Sequence, residues 1–191
     1  LDPGVSIYAS KMQESATRMQ SMIQELLQYS LVSAKGDPFR SIDLNKVVKE
    51  VLEDLEVSIQ NSNGIVQTES LPTVEADPTQ MRQLFQNLIS NAIKFKKKEE
   101  TLKIELLAKP CEKGLWDIFI KDNGIGFDSQ HGSSIFQPFF RLHGRNEYAG
   151  SGIGLAICQK IVDRHCGKIK AVSSKNEGST FQVTLPVKQV S

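Results

Sequence analysis

The sequence predicts an α+β fold: a two-layer α/β sandwich, preceded by one long α-helix. Three observations carry this. An apolar stripe free of glycine and proline runs over residues 5–35. Beyond it, helical and strand patterns mix, with adjacent hairpin-like strands instead of the regular strand–helix alternation of a doubly wound parallel sheet. The composition, 39% apolar and 24% charged, is that of a globular chain and argues against disorder. At 191 residues there is room for one good core and an appendage.

The first element is read from Val5, Tyr8, Met12, Ser15, Met19, Met22, Leu26 and Tyr29, which alternate spacings of three and four. Ala9, Ala16, Ile23 and Leu27 widen the stripe, so one helix of about eight turns is expected over 4–34. A stripe this wide must meet a partner, either the helix's own domain or a bundle or dimer seam, and heptad spacing favours the seam. Ala34-Lys35-Gly36-Asp37-Pro38 reads as a linker. A second amphipathic helix follows, capped near Asp43, with Leu44, Val47, Val48, Val51, Leu52, Leu55 and Ile59 on one face. Asn61-Ser62-Asn63-Gly64 stops it, and Ile65–Glu69 and Thr73–Glu75 read as short strands. Asp77-Pro78 starts a helix that runs to about Phe95. Strands are expected at Leu102–Ala108 and Leu115–Lys121, joined by a turn at Lys113-Gly114. Residues 127–149 show no period and form a long loop, of the kind that is functional or mobile. A helix from about Gly152 to His165 and strands near Lys168–Ser174 and Thr180–Val187 complete the chain.

Composition excludes several functions. A net charge of +1 gives no sign imbalance for nucleic acid or an anionic membrane. No apolar run approaches the roughly 18 residues of a membrane span, and no signal peptide opens the chain. Cys111, Cys158 and Cys166 form no CxxC pair, which fits buried thiols in a reducing compartment better than a disulfide framework or zinc site. The start at Leu1-Asp2-Pro3-Gly4, without methionine, is expected of a fragment.

Gln83, Asn87, Asn91 and Lys94 share one helix face, opposite Leu84, Leu88, Ile89 and Ala92. Carboxamide oxygens suit a Mg²⁺ that takes most of its charge from nucleotide phosphates, and Lys94 would add a point charge. A merely neutral helix face accounts for the same pattern. Asp122-Asn123-Gly124-Ile125-Gly126 follows a strand, where a carboxylate can accept from an exocyclic amine and glycine lets backbone approach a flat base. An aspartate-capped turn is the plain alternative. Gly150-Ser151-Gly152-Ile153-Gly154 opens a helix whose free amides make an anion site. It lacks the strand and distant acid of a Rossmann fingerprint and the G-K-[ST] of a P-loop.

Taken in order, these motifs resemble the ATP-binding domain of sensor histidine kinases. The Asn87/Asn91 helix is similar to the N box, Asp122–Gly126 to the G1 box, and Phe136-Gln137-Pro138-Phe139-Phe140 to the F box. Gly150–Leu155 resembles the G2 box, and Gly178-Ser179-Thr180-Phe181 the last glycine-threonine box. Phe139–Arg145 and Glu147–Gly152 are especially close to phytochrome-like and hybrid kinases. The resemblance implies the Bergerat ATP-binding fold, with a mixed sheet of about five strands, over residues 40–191. Residues 1–36 would be the second helix of a dimerisation hairpin. By position it implies that Asn91 ligates Mg²⁺ with Asn87 near metal and phosphates, that Lys94 contacts phosphate, and that Phe95 lies against the base. Asp122, supported by Gly124 and Gly126, would read the adenine amine. Residues 127–149 would be the lid, with Gly152 and Gly154 letting its helix approach the phosphates. Thr180 belongs to the same ATP-binding set. Arg141 would steady charge on the moving γ-phosphoryl group. Gyrase- and chaperone-type relatives place a glutamate base where Asn87 stands. An asparagine cannot take a proton from water, so slow hydrolysis and transfer to a better nucleophile are implied.

No phosphoacceptor is expected in this chain, because His131, His143 and His165 lack the acidic neighbour of the acceptor motif. His131 and His143 are expected to be solvent-facing or near phosphate, and His165 to be favoured by a helix dipole. Lys96-Lys97-Lys98 is read as a solvated helix end, with contact to nucleotide or a partner as the alternative, and Cys166 stands where the family has glycine. The reading is thus an ATP- and Mg²⁺-dependent histidine kinase domain that acts on an upstream histidine and relays to a response regulator or receiver domain. The alternative is an ATP-binding or docking module without kinase activity. A cytoplasmic location and a homodimeric parent follow from the resemblance. No membrane contact is expected of this segment. Its own helix would either self-associate through Met12, Met19 and Leu26 or pack onto the ATP-binding domain.

Overall fold

The computed structural model describes residues 3–34, 36–112, 114–142, 148 and 150–189. Helix α1 (Pro3–Ala34) leads into β1 (Arg40–Asp43), α2 (Leu44–Asp54), α3 (Glu56–Asn61), β2 (Ile65–Thr68) and β3 (Thr73–Ala76). Then come α4 (Pro78–Lys94), β4 (Lys103–Pro110), β5 (Leu115–Asp122), α5 (Gly154–Arg164), β6 (Lys168–Ser174) and β7 (Gly178–Pro186). Two short 3₁₀ turns, Ser129–His131 and Ser134–Phe136, lie in the long loop.

Five strands form one sheet in the order β2-β4-β5-β7-β6. β2 pairs parallel with β4 and the other pairs are antiparallel. Residues that alternate along each strand share a face. The register Leu106↔Ile120↔Phe181 therefore stacks one buried row, and Ile118↔Val183 another. Leu84, Leu88 and Ile89 of α4, Ile157, Ile161 and Val162 of α5, and Val48 and Val51 of α2 close over it in one core. The other sheet face carries Lys103, Lys121, Lys170 and the exposed Val172. This is the two-layer sandwich, with its mixed five-stranded sheet.

The sequence reading lacked one element. β1 pairs antiparallel with β3, from Arg40↔Ala76 to Asp43↔Thr73. A strand of four residues carries too little periodicity to be read before it is paired. Both ends of this ribbon launch helices. Asp43 caps α2 by accepting from the Asn45 N–H at 2.9 Å. Asp77 caps α4 by accepting from the Gln80 N–H at 3.1 Å, with Pro78 in the first turn. The helix read as continuous from Leu44 to Ile59 is broken at Leu55 into α2 and α3.

Three residue-level expectations change. His165 ends α5, yet it is fully buried and burial lowers its pKa. Its Nδ1–H donates to the Ile161 carbonyl at 2.7 Å and its Nε2 accepts the Asp77 N–H at 3.0 Å. It is therefore a neutral hydrogen-bonded core group and not a cation favoured by the dipole. Cys158 is buried, with its thiol pushed up to about 12 by that burial, but Cys111 and Cys166 are exposed. Cys166 has φ 53°, in the left-handed region. Its N–H donates to Asp163 O at 3.0 Å and that of Gly167 to Val162 O at 2.9 Å, a Schellman end for α5. The geometry explains why glycine would be the ordinary residue there.

The carboxyl-terminal part of α1 lies on the sandwich. Gln80 Nε2 donates to Val32 O at 2.8 Å, and Lys160 Nζ donates to Tyr29 O at 3.0 Å while sitting 4.3 Å from the Tyr29 ring centroid. Gln83, placed by its spacing on the carboxamide face, bonds Gln28 of α1 at 3.2 Å. Arg164 clamps the segment between α1 and β1: it pairs with Asp77 at 2.8 Å, donates to Asp37 O at 2.9 Å and covers the Phe39 ring at 4.7 Å. Tyr8, Met12, Met19, Ile23 and Leu26 remain exposed along α1. Among the described residues no helix is long and apolar enough to cross a membrane.

Candidate functional site

A cavity of about 400 Å³ opens between α4, the end of β5, the turn before α5 and the start of β7. Asn87, Asn91, Lys94, Phe95, Asp122, Gly126, Arg141, Gly152 and Gly154 all line it, so sites spread over 68 residues of sequence (87 to 154) converge.

Asp122 is the last residue of β5 and only 7% exposed. Its Oδ1 accepts the Gly124 N–H at 2.8 Å and the Ser179 N–H at 3.3 Å. Burial pushes its carboxyl above the usual carboxylate value, and these two donors oppose that. Gly124 does not line the cavity but stands behind Asp122. A Cβ there would lie 2.5 Å from the Phe95 carbonyl, so only glycine fits. Ile125 N–H donates to that same carbonyl at 2.9 Å, which ties the turn to the end of α4.

Along α4, one face presents Asn87, Ser90, Asn91 and Lys94 to the cavity. Asn87 Nδ2 donates to Gly154 O at 3.2 Å, linking α4 to the first turn of α5. Lys94 Nζ lies 4.6 Å from the Phe95 ring centroid. Burial lowers the pKa of Lys94, Arg141 lowers it further, and Glu25 opposes both. The Phe95 and Tyr148 rings meet at 5.0 Å.

Arg141 binds backbone. Nη1 donates to Gly150 O and Nη2 to Tyr148 O, the latter at 2.6 Å. The guanidinium thus holds the turn that precedes α5. In that turn Gly152 has φ 84°, and a Cβ would lie 2.8 Å from Phe140 O, so the tight approach of the two loop ends requires glycine. Ser151 Oγ accepts the Ile153 N–H at 3.1 Å and donates to Glu25 of α1. The amino end of α5 faces the cavity through Gly154 and Leu155, which supplies the positive end of a helix dipole.

Thr180 does not line the cavity. It pairs with Lys121 and Val172 on the open face of the sheet, and its neighbours Ser179 and Phe181 take the inner positions. Strand parity was the available signal, since apolar Phe181 marks the inner face and Ser179 shares it. Glu25 also lines the cavity, and local sequence gives no sign of this because its contact spans 126 residues. His131 is partly exposed, lies outside the cavity lining, and sits 5.9 Å from the Phe140 ring. His143 lies outside the described residues. Lys96 and Lys97 are not merely solvated: Lys96 Nζ donates to Ser62 O at 3.2 Å and Lys97 pairs with Glu100. Among the described residues no group of three or more His, Cys, Asp or Glu could hold a metal ion. A divalent cation here would depend on the α4 carboxamides and on ligand oxygens.

Residues 76–189 match the family of histidine kinase-, DNA gyrase B- and HSP90-like ATPases. The chain is 41% identical over 187 residues to cyanobacterial phytochrome A of Nostoc sp. (strain PCC 7120), a match that covers 98% of this chain and 24% of that protein. The chain spans 22–24% of the length of the three cyanobacterial phytochrome relatives it matches. The catalytic domain of histidine kinase ThkA superposes with a TM-score of 0.68 at 29% identity, covering 80% of this chain and 97% of that one. ThkA in complex with response regulator protein TrrA superposes at 0.72 with 25% identity, covering 98% of this chain and 52% of that one.

Proposed function

The chain belongs to the histidine kinase-, DNA gyrase B- and HSP90-like ATPase family, and from that premise we propose that it is the ATP-binding catalytic domain of a sensor histidine kinase. Residues 40–191 form that domain and residues 1–36 the second helix of its dimerisation hairpin. The γ-phosphoryl of ATP passes to a histidine outside this chain and from there to an aspartate of a response regulator. The observation that carries this is the single cavity joining a buried carboxylate, a carboxamide face and a helix amino terminus. The likeness to the ThkA catalytic domain and to its regulator complex supports it.

The adenine amine donates to Asp122 through Oδ2, which takes neither backbone bond, while Phe95 lies against the base. Gly124 and Gly126 keep the turn close enough for that contact. The phosphates lie toward Lys94, Gly152, Gly154 and the amino end of α5, where amides and dipole favour anions. Ser179, and not Thr180, meets the nucleotide from β7. The neutral carboxamides of Asn91 and Asn87 fit a Mg²⁺ held jointly with phosphate oxygens, and that ion supplies charge neutralisation on the phosphates. Arg141 steadies charge on the γ-phosphoryl by exchanging the Gly150 carbonyl for a phosphoryl oxygen. Asn87 cannot deprotonate water, which preserves the γ-phosphoryl for the histidine. The exposed row on α1, with Met12 73% and Met19 59% exposed, supports pairing with a second copy in the parent.

The test is the fate of γ-labelled ATP, with Mg²⁺, when a helical hairpin bearing a candidate acceptor histidine is supplied. Acid-labile label on the hairpin histidine, with slow release of inorganic phosphate, is the expected result. Label recovered only as inorganic phosphate, at a rate this chain accelerates, would refute the kinase reading.

A further inference from the structure

Helix α1 enters the nucleotide cavity at one residue. Glu25 is half-buried, lines the cavity and accepts a hydrogen bond from Ser151 Oγ. Among the described lining residues only Glu25 and Asp122 are carboxylates. They are held by different elements. Asp122 is fixed by the Gly124 and Ser179 amides, at the end read above as the base site. Glu25 is bound instead to the turn that opens α5 and is close enough to Lys94 to stabilise its charge. That is the neighbourhood of the ATP phosphates in the proposed function, on which the following rests.

We propose that Glu25 is an intramolecular stand-in for the polyphosphate of a nucleoside triphosphate, so that docking of α1 and entry of the phosphates compete. The docked face of α1 is short and well defined: Glu25, Gln28, Tyr29 and Val32 recur at spacings of three and four and meet Ser151, Gln83, Lys160 and Gln80 in turn. An incoming triphosphate meets a carboxylate where it needs cations and amides. Either the phosphates are held weakly, or Glu25 withdraws and the α1 face loosens with it. Linkage makes the effect reciprocal: whatever holds α1 down weakens triphosphate binding, and the triphosphate loosens α1 by the same factor. A signal that moves α1 would then reach the nucleotide without passing through the base site.

The experiment compares wild type with Glu25→Gln, which keeps a hydrogen-bonding group for Ser151 and removes the charge. Calorimetric titrations use Mg²⁺ with a non-hydrolysable ATP analogue, and separately adenosine, which lacks phosphates. The expected result is binding of the analogue about five- to tenfold tighter in Glu25→Gln, with the gain shrinking at high salt and adenosine unchanged. Amide hydrogen exchange over Gln28–Val32 should quicken when the analogue, but not adenosine, is added to wild type. Equal analogue affinity in the two proteins overturns the proposal. So does an equal gain for adenosine, or weaker analogue binding in Glu25→Gln, which would make Glu25 a ligand instead of a competitor. If neither protein binds either compound, the nucleotide reading itself fails and this proposal falls with it.

Discussion

Replacing Asp122 with asparagine should move stability and affinity in opposite directions. The substitution keeps one oxygen for the Gly124 and Ser179 amides and turns the outward oxygen into an NH₂ group. A donor then faces the adenine amine, itself a donor. Losing one charge-assisted hydrogen bond and leaving a buried donor unpaired costs about 2–3 kcal/mol, a loss of roughly 30- to 150-fold in affinity. Stability without ligand follows from the sign of the pKa shift. Burial holds the Asp122 carboxyl above its ordinary 3.8, so the native state holds this proton more tightly than the unfolded chain. The ionised carboxylate therefore costs nothing below that ordinary value, and its cost grows as pH rises through the raised one. At pH 7 the ligand-free variant should be at least as stable as wild type, and this advantage should vanish as pH falls toward 4. Urea unfolding at several pH values and displacement of a fluorescent nucleotide read the two quantities separately. Affinity retained within about threefold would refute the assigned role, since a lost charged acceptor cannot cost so little. A fall in affinity that tracks a fall in stability would refute it too, because the cause would then be folding.

Asp77→Ala removes the α4 cap and, at a position 1% exposed, the carboxylate that pairs with Arg164. It should cost about 3 kcal/mol and lower Tm by roughly 6–12 °C by calorimetry. Burial lowers the His165 pKa from 6.5, so the unfolded chain takes up a proton first and wild-type stability should fall as pH drops below 6.5. Asp77 and Arg164 face this ring and set the remaining charge balance. His165→Gln should flatten the dependence in urea titrations from pH 7 to 5, at a lower stability throughout. Cys166→Gly relieves a left-handed φ of 53° and should stabilise by about 0.5–1 kcal/mol, read as a higher urea midpoint. Met19→Glu should abolish any self-association seen in a light-scattering concentration series without lowering the unfolding midpoint of the sandwich.

Most of the fold was legible where a long period or a strong punctuation mark existed. The α1 stripe, the Asp77-Pro78 start of α4, and the β6 and β7 alternation needed no tertiary information. β1 was missed because its four residues become a strand only against β3, and the break at Leu55 is a local turn inside an unbroken apolar pattern. In the site, motifs on one element were readable: the Asn87/Asn91 face, Asp122 and the glycine turn before α5. Positions decided by parity or by distant contact were not. Thr180 belongs to the glycine-threonine motif, but the pleat turns its neighbours Ser179 and Phe181 toward the cavity. The sequence gives no sign that, without ligand, both terminal guanidinium nitrogens of Arg141 bind the turn carbonyls. Glu25 belongs to a helix whose docking no local pattern encodes.

The central claim is that the cavity holds a Mg²⁺-nucleotide. It is met most directly by a calorimetric titration of a non-hydrolysable ATP analogue, with Mg²⁺, into the wild-type chain. The account predicts one site per chain with micromolar-range affinity, weakened when Mg²⁺ is withheld. Absence of any binding heat up to millimolar analogue, from a protein shown to be folded, would contradict it.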